Sequence, residues 1–261
     1  MTLKNAFITG GSSGIGRSLT WELFRRGYRV AITARRGELL EMIRTEAEAG
    51  GYECLVFPCD VNDESAIQDA VRKTISEWGP LDLAVANAGV GYPTFARKFD
   101  LADARALMRT NFEGTLTLFA AVIPGMIERG QGRFAAVASI AGFRGIPGAS
   151  TYSASKAAMQ SFLEASRVEL KGTGVGVTVV NPGFIETSMT EKNSFRMPFL
   201  MKDHEAAAII AKGLEAGKRN VTFPLPMKLI AMTLRMLPAV IYEKLAEPMA
   251  KKKRDPKKVR R

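Results

Sequence analysis

The chain has 261 residues, 46% hydrophobic and 24% charged, too apolar for a disordered polymer and enough for a sizeable core. Its net charge of +11 is unevenly held: eight basic residues against Asp255 put +7 into residues 251–261 and leave +4 elsewhere. Nucleic-acid binding would rest on that tail alone, because the body offers no basic-aromatic module.

Cys54 and Cys59 make neither a disulfide framework nor a zinc set; they flank Leu55-Val56-Phe57 and read as core thiols. The single histidine, His204, precedes an alanine run at a helix entry, so a Ser-His-Asp hydrolase is poorly supported. No signal peptide is expected from the opening residues, and no run reaches the roughly 18 apolar residues of a spanning helix. The expected setting is the cytoplasm, with the inner face of a membrane as an alternative.

Residues 3–9 read as a short buried strand running into Gly10-Gly11-Ser12-Ser13-Gly14-Ile15-Gly16, and a helix follows to about Arg26. Strand, glycine-rich turn and helix make a phosphate cradle, because free N–H groups and a positive dipole end face the turn. Residues 28–34 form the second strand. A dinucleotide fold that holds the ribose 2′-hydroxyl of NAD places an acidic residue at this strand's end. Here stand Arg35 and Arg36, which favour the 2′-phosphate of NADP(H), with Ser12 and Ser13 as added donors. Two solvated arginines opening the next helix (38–49) remain the alternative.

The third strand spans 52–57. Asp60, just beyond with Val61, is a candidate acceptor for an adenine amino group; capping of the helix at 63–78 by an aspartate competes with that reading. A fourth strand, 81–86, leads to Asn87-Ala88-Gly89, small residues that let backbone lie against a cofactor. A single long helix is expected over 102–127, kinked or shortened by Pro124 and carrying Asn111, a polar residue that needs a partner if buried.

An apolar run, 134–138, ends at Ser139, and a helix begins near Ser150 and runs to about Leu170. Tyr152 and Lys156 lie one turn apart on one face of it. An ammonium beside a phenol favours the phenolate, so Tyr152 is expected to be acidified and to serve as proton donor and acceptor, with Ser139 supplying a second hydroxyl. Residues 175–180 make the sixth strand, broken by Asn181-Pro182-Gly183, and 203–216 and 221–223 a further helix and strand. Strands this continuously apolar, alternating with helices, indicate an α/β fold with a parallel sheet covered on both faces. Ligands then belong at the carboxyl ends of its strands, where Gly10, Ala34, Asp60, Asn87, Ser139 and Pro182 all fall.

Together, Thr9-Gly10-x-x-x-Gly14-x-Gly16, Asn87-Ala88-Gly89, Asn111, Ser139, Tyr152-x-x-x-Lys156 and Pro182-Gly183-x-x-x-Thr187 resemble the short-chain dehydrogenase/reductase family over about residues 4–190. The resemblance implies a Rossmann-type doubly wound sheet of about seven strands and hydride transfer between nicotinamide and a carbonyl or secondary alcohol. It implies that Tyr152 is the acid/base and that Ser139 polarises the substrate oxygen. Lys156 would lower the tyrosine pKa and hold the nicotinamide ribose, and Asn111 would anchor a relay water. Thr187 would meet the nicotinamide carboxamide, with Ile15, Val61, Ala88, Gly89, Pro182, Gly183 and Ile185 as further cofactor contacts. Ala86 departs from the pattern, where many members have a second Asn. Family members pair through the helix bearing Tyr152, whose Ala154, Ala157, Ala158 and Ala165 permit close packing, so a homodimer or homotetramer is expected. A non-catalytic nucleotide-binding regulator or scaffold of the same fold is the competing function.

The catalytic domain is expected to span 1–223. In the family, residues 184–202 form a substrate lid; here they carry Met189, Phe195, Met197, Phe199, Leu200 and Met201 and suggest a lipophilic carbonyl or alcohol. A helical extension, 224–250, and a basic, disordered tail, 251–261, follow. They suit either contact with an anionic membrane surface or packing over the substrate mouth or a partner subunit.

Overall fold

The computed structural model describes residues 3–191 and 197–251; Phe195 of the expected lid and residues 252–261 of the basic tail lie outside them. Seven strands form one wholly parallel sheet: β1 (Lys4–Thr9), β2 (Tyr28–Ala34), β3 (Cys54–Pro58), β4 (Leu83–Ala86), β5 (Gly132–Val137), β6 (Val175–Pro182) and β7 (Asn220–Phe223). Their order is β3-β2-β1-β4-β5-β6-β7, so the winding reverses between β1 and β4. That reversal opens the crevice at the carboxyl ends of the strands where a ligand can sit.

Side chains alternate across each strand and feed two cores. Ala6 and Ile8 of β1 pack with α1 (Gly14–Arg25), α2 (Gly37–Ala49) and α7 (Asp203–Glu215). Phe7 faces the other way, toward α3 (Glu64–Trp78), α5 (Gly114–Arg129) and α6 (Ser150–Glu169). Phe7 and Phe134 are fully buried, and each such side chain contributes about 1.5–3 kcal/mol of transfer free energy.

The single helix expected over 102–127 is instead two. α4 (Leu101–Met108) passes through a π-turn, Arg109–Glu113, into α5. The cause is Asn111, whose buried side chain spans the backbone of Val90: its Oδ1 accepts from the Val90 N–H at 2.8 Å and its Nδ2 donates to the Val90 carbonyl at 3.0 Å. One extra residue in the turn aims the amide inward, a device frequent at functional sites. α5 continues through Pro124, so the proline does not shorten it; Gly130, left-handed at φ +67°, closes it instead. Beyond β7 lie α8 (Leu225–Met236) and α9 (Ala239–Lys251).

Candidate active site

The ends of β1 and β4 are tied by a side chain from each. Thr9 Oγ1 accepts the N–H groups of Asn87 and Ala88, both at 3.1 Å. Asn87 Nδ2 donates to the carbonyls of Thr9 and Gly10 at 3.0 and 3.1 Å. Gly10 has φ +71°, and a Cβ there would stand 2.8 Å from Ala88 Cα. A Cβ on Gly16 would come within 2.2 Å of the Gly10 carbonyl oxygen. Gly16 is therefore fixed by packing of α1 on the turn, as well as by any need for a phosphate to approach.

Ser13 opens α1 without a side-chain capping bond, and no acidic residue occupies the first turn. Arg36 Nη2 reaches across to the hydroxyls of Ser12 and Ser13 at 3.1 and 2.8 Å. Cationic guanidinium, two hydroxyls and a helix amino terminus thus converge, a donor set that fits an anionic dinucleotide. Arg35 is largely exposed, with Nη1 4.0 Å from Asp60 Oδ2. Asp63, not Asp60, caps α3, accepting from the Ala66 N–H at 3.0 Å. Asp60 Oδ1 accepts from the Asn62 N–H at 3.0 Å. The Val61 side chain is buried beneath Gly114.

Ser139 leaves the end of β5 buried, accepting the Ala141 N–H at 3.1 Å and reaching the Pro182 carbonyl at 3.4 Å. Its hydroxyl lies near enough to the phenol of Tyr152 to pull that phenol's pKa down. Lys156 is buried, its Nζ 5.8 Å from the Tyr152 ring centre and donating to the Val137 carbonyl at 2.8 Å. A Cβ on Gly89 would lie 3.2 Å from Asn111 Oδ1 and 3.5 Å from Lys156 Nζ, so Asn111, Gly89 and Lys156 share one corner. The structure brings all four candidate catalytic residues into one neighbourhood.

The expected acidification of Tyr152 does not hold. Burial raises its pKa above the ordinary phenol value, and only the Ser139 hydroxyl pulls against it. Burial likewise pushes the Lys156 ammonium down, to about 8. Desolvation of each group outweighs any help one gives the other.

Pro182 and Gly183 lie beside β7, the Gly183 N–H donating to the Phe223 carbonyl at 2.8 Å. Ile185 is buried in the core under α1 and α7, so its side chain is structural. The Thr187 methyl lies over Gly14, where an added Cβ would meet it at 2.9 Å, closing the glycine turn from above. Met189 covers Gly91 beside Tyr152: a Cβ on Gly91 would stand 2.9 Å from its sulfur and 3.4 Å from Tyr152 Cε2. Cys54 is buried, and burial raises its thiol to about 12. His204 is exposed beside Asp203.

Three participants are not singled out by the sequence. Ser155, fully buried, accepts from Asn111 Nδ2 at 3.0 Å and donates to the Tyr152 carbonyl at 2.8 Å. Gln160 Nε2 donates to the Ser139 carbonyl and to Asn181 Oδ1, each at 2.8 Å. Gly91 gives way to Met189. A signal exists for Gln160, which lies one turn beyond Lys156 on the same helix face; nothing local marks the other two.

A family model described as short chain dehydrogenase matches residues 4–197. The chain is 41% identical to an uncharacterized oxidoreductase of Myxococcus xanthus over 246 residues, 94% of this chain and 97% of that one. It is 31% identical to the 11-beta-hydroxysteroid dehydrogenase-like 2 protein of Arabidopsis thaliana, covering 92% of this chain and 80% of the relative. Its fold is similar to a short chain dehydrogenase/reductase of Burkholderia phymatum solved in complex with NAD, at TM-score 0.83 and 20% identity over 88% and 92% of the two chains.

Proposed function

The chain belongs to the short chain dehydrogenase family of oxidoreductases, and from that premise we propose that it uses NADP(H) to interconvert a lipophilic carbonyl compound and its secondary alcohol. The observation that carries this reading is the convergence of Ser139, Tyr152 and Lys156 at the end of β5. The nicotinamide, when bound, supplies or accepts the hydride.

At neutral pH the raised pKa of Tyr152 keeps its phenol protonated, so it is poised to donate a proton to a substrate oxygen. Ser139 offers a second hydrogen bond to that oxygen. Lys156 remains mostly charged below about pH 8, and its positive charge 5.8 Å from the ring centre stabilises the phenolate left when the proton departs. Asn111, anchored on Val90 and Ser155, holds the floor beside Lys156.

Support for NADP(H) comes from Arg36, Ser12 and Ser13, with Arg35 alongside at the end of β2, where a carboxylate would repel a 2′-phosphate. Support for a lipophilic substrate comes from Met189 beside Tyr152 and from Phe199 and Leu200, large exposed side chains within the lid. The steroid in the Arabidopsis relative's name points the same way. Ala154 and Ala165 leave small exposed positions along α6, which supports pairing into a homodimer or homotetramer. A cytoplasmic setting accords with the two free thiols. NADPH and NADH oxidation against ketones of graded chain length tests the proposal. Rates should favour NADPH and rise with chain length; faster turnover of small polar ketones would contradict the substrate class.

A further inference from the structure

The two C-terminal helices turn bulky apolar side chains outward. In α8, Leu225, Leu229, Met232 and Met236 recur at the spacing of one helix face and are 45–82% exposed. The opposite face packs inward through Met227 and Ala231. α9 repeats the pattern, with Ile241, Leu245 and Met249 outward and Tyr242 and Ala246 toward the body. A helix that only covered the body would bury its largest apolar side chains and expose its alanines.

Charge says what this face meets. α8 has no acidic residue, and Lys228 and Arg235 lie along one side of its apolar stripe. α9 carries Lys244 with Glu243 and Glu247, and where it ends the sequence runs into residues 251–261 with their net +7. Among the described residues no helix is long and apolar enough to cross a membrane. An apolar stripe beside clustered cations suits a helix lying in the plane of a bilayer, with the cations at anionic headgroups.

We propose that α8 and α9 dock this protein on an anionic membrane surface. Both helices are held to loops beside the reaction site. Arg144 stacks on Tyr242 at 4.5 Å, and Arg235 lies over Phe143 at 5.8 Å. Arg144 Nη1 donates to the Arg235 carbonyl at 3.2 Å, and the Tyr242 hydroxyl donates to the Gly145 carbonyl. Phe143, Arg144 and Gly145 lie a few residues beyond Ser139 in the chain. On the other side, Pro224 and Met227 pack against Gly183. The surface that meets lipid therefore borders the loops that follow β5 and β6. Docking rests on α8 and α9 and holds whatever the substrate proves to be.

Flotation of the full chain with phosphatidylserine-containing vesicles, beside neutral phosphatidylcholine vesicles, tests this. The parent should float with the anionic vesicles only, and less at high salt. Leu229→Glu with Met236→Glu should abolish flotation while leaving melting temperature and turnover of a water-soluble ketone unchanged. Replacing Lys251, Lys252, Lys253 and Arg254 by Gln should weaken binding at least about tenfold. The proposal is overturned if the parent stays unbound, or if the double Glu variant floats as well as the parent. It is equally overturned if light scattering shows that the double Glu variant halves the native mass, since the face would then belong to a second copy.

Discussion

Gln160 holds Ser139 in place: its Nε2 donates at 2.8 Å to the Ser139 carbonyl and, at the same distance, to Asn181 Oδ1. One amide on α6 thus joins the helix bearing Tyr152 and Lys156 to the ends of β5 and β6. Gln160→Leu leaves Asn181 Oδ1 unpaired and the Ser139 carbonyl with only the Gly142 N–H, at 3.0 Å, a cost of about 1–3 kcal/mol. Felt at Ser139, that is about a 10- to 100-fold loss in kcat. NADPH affinity, read by fluorescence titration, should stay within about threefold of the parent, since a positioning role moves kcat and leaves binding in place. Equal losses in both would mean that Gln160 supports the fold at large.

Arg36 sits on the hydroxyls of Ser12 and Ser13, where a 2′-phosphate would replace or join them. Hydrogen bonds to a charged group are worth about 1.5–3 kcal/mol. Arg36→Ala should therefore lower kcat/KM for NADPH by about 10- to 100-fold and leave that for NADH nearly unchanged. Steady-state kinetics with both cofactors decide it, and a parallel fall in both would remove the preference for NADP(H).

Lys156 is kept charged in a buried place at a cost to the fold. Its pKa falls from 10.5 to about 8 on burial, a shift equivalent to about 3 kcal/mol at most. Below pH 8 the folded protein carries the whole penalty. Between about 8 and 10.5 the folded state gives up the proton that the unfolded chain still binds, so stability rises with pH across that window. Lys156→Met should be inactive yet melt several degrees higher at pH 7, with the gap narrowing at about pH 9.5. Calorimetry at the two pH values measures this, and a variant that melts lower at pH 7 would contradict it.

Much of this is legible in the residues. The apolar strands, glycine turns and alternating helices lead to the seven-stranded parallel sheet, because strand burial on both faces leaves a plain apolar signature. Tyr152, Lys156 and Ser139 can be placed together since helix spacing and a strand end are local facts. The break at Asn111 cannot, because its cause is a hydrogen bond to Val90, 21 residues earlier. The acidity of Tyr152 escapes the sequence for a related reason: the neighbouring ammonium is visible there, whereas the loss of water around both groups depends on everything packed over them. Gln160 acts through Asn181, whose place beside it exists only once β6 is laid down.

Removing one oxygen atom gives the most direct test. Tyr152→Phe keeps the ring beside Met189 and deletes the hydroxyl that lies near Ser139. NADPH-dependent ketone reduction at pH 7 should fall by about a hundred- to ten-thousand-fold, with NADPH still bound at near-parental affinity. Reduction at the parental rate by the phenylalanine variant would contradict Tyr152 as the proton donor.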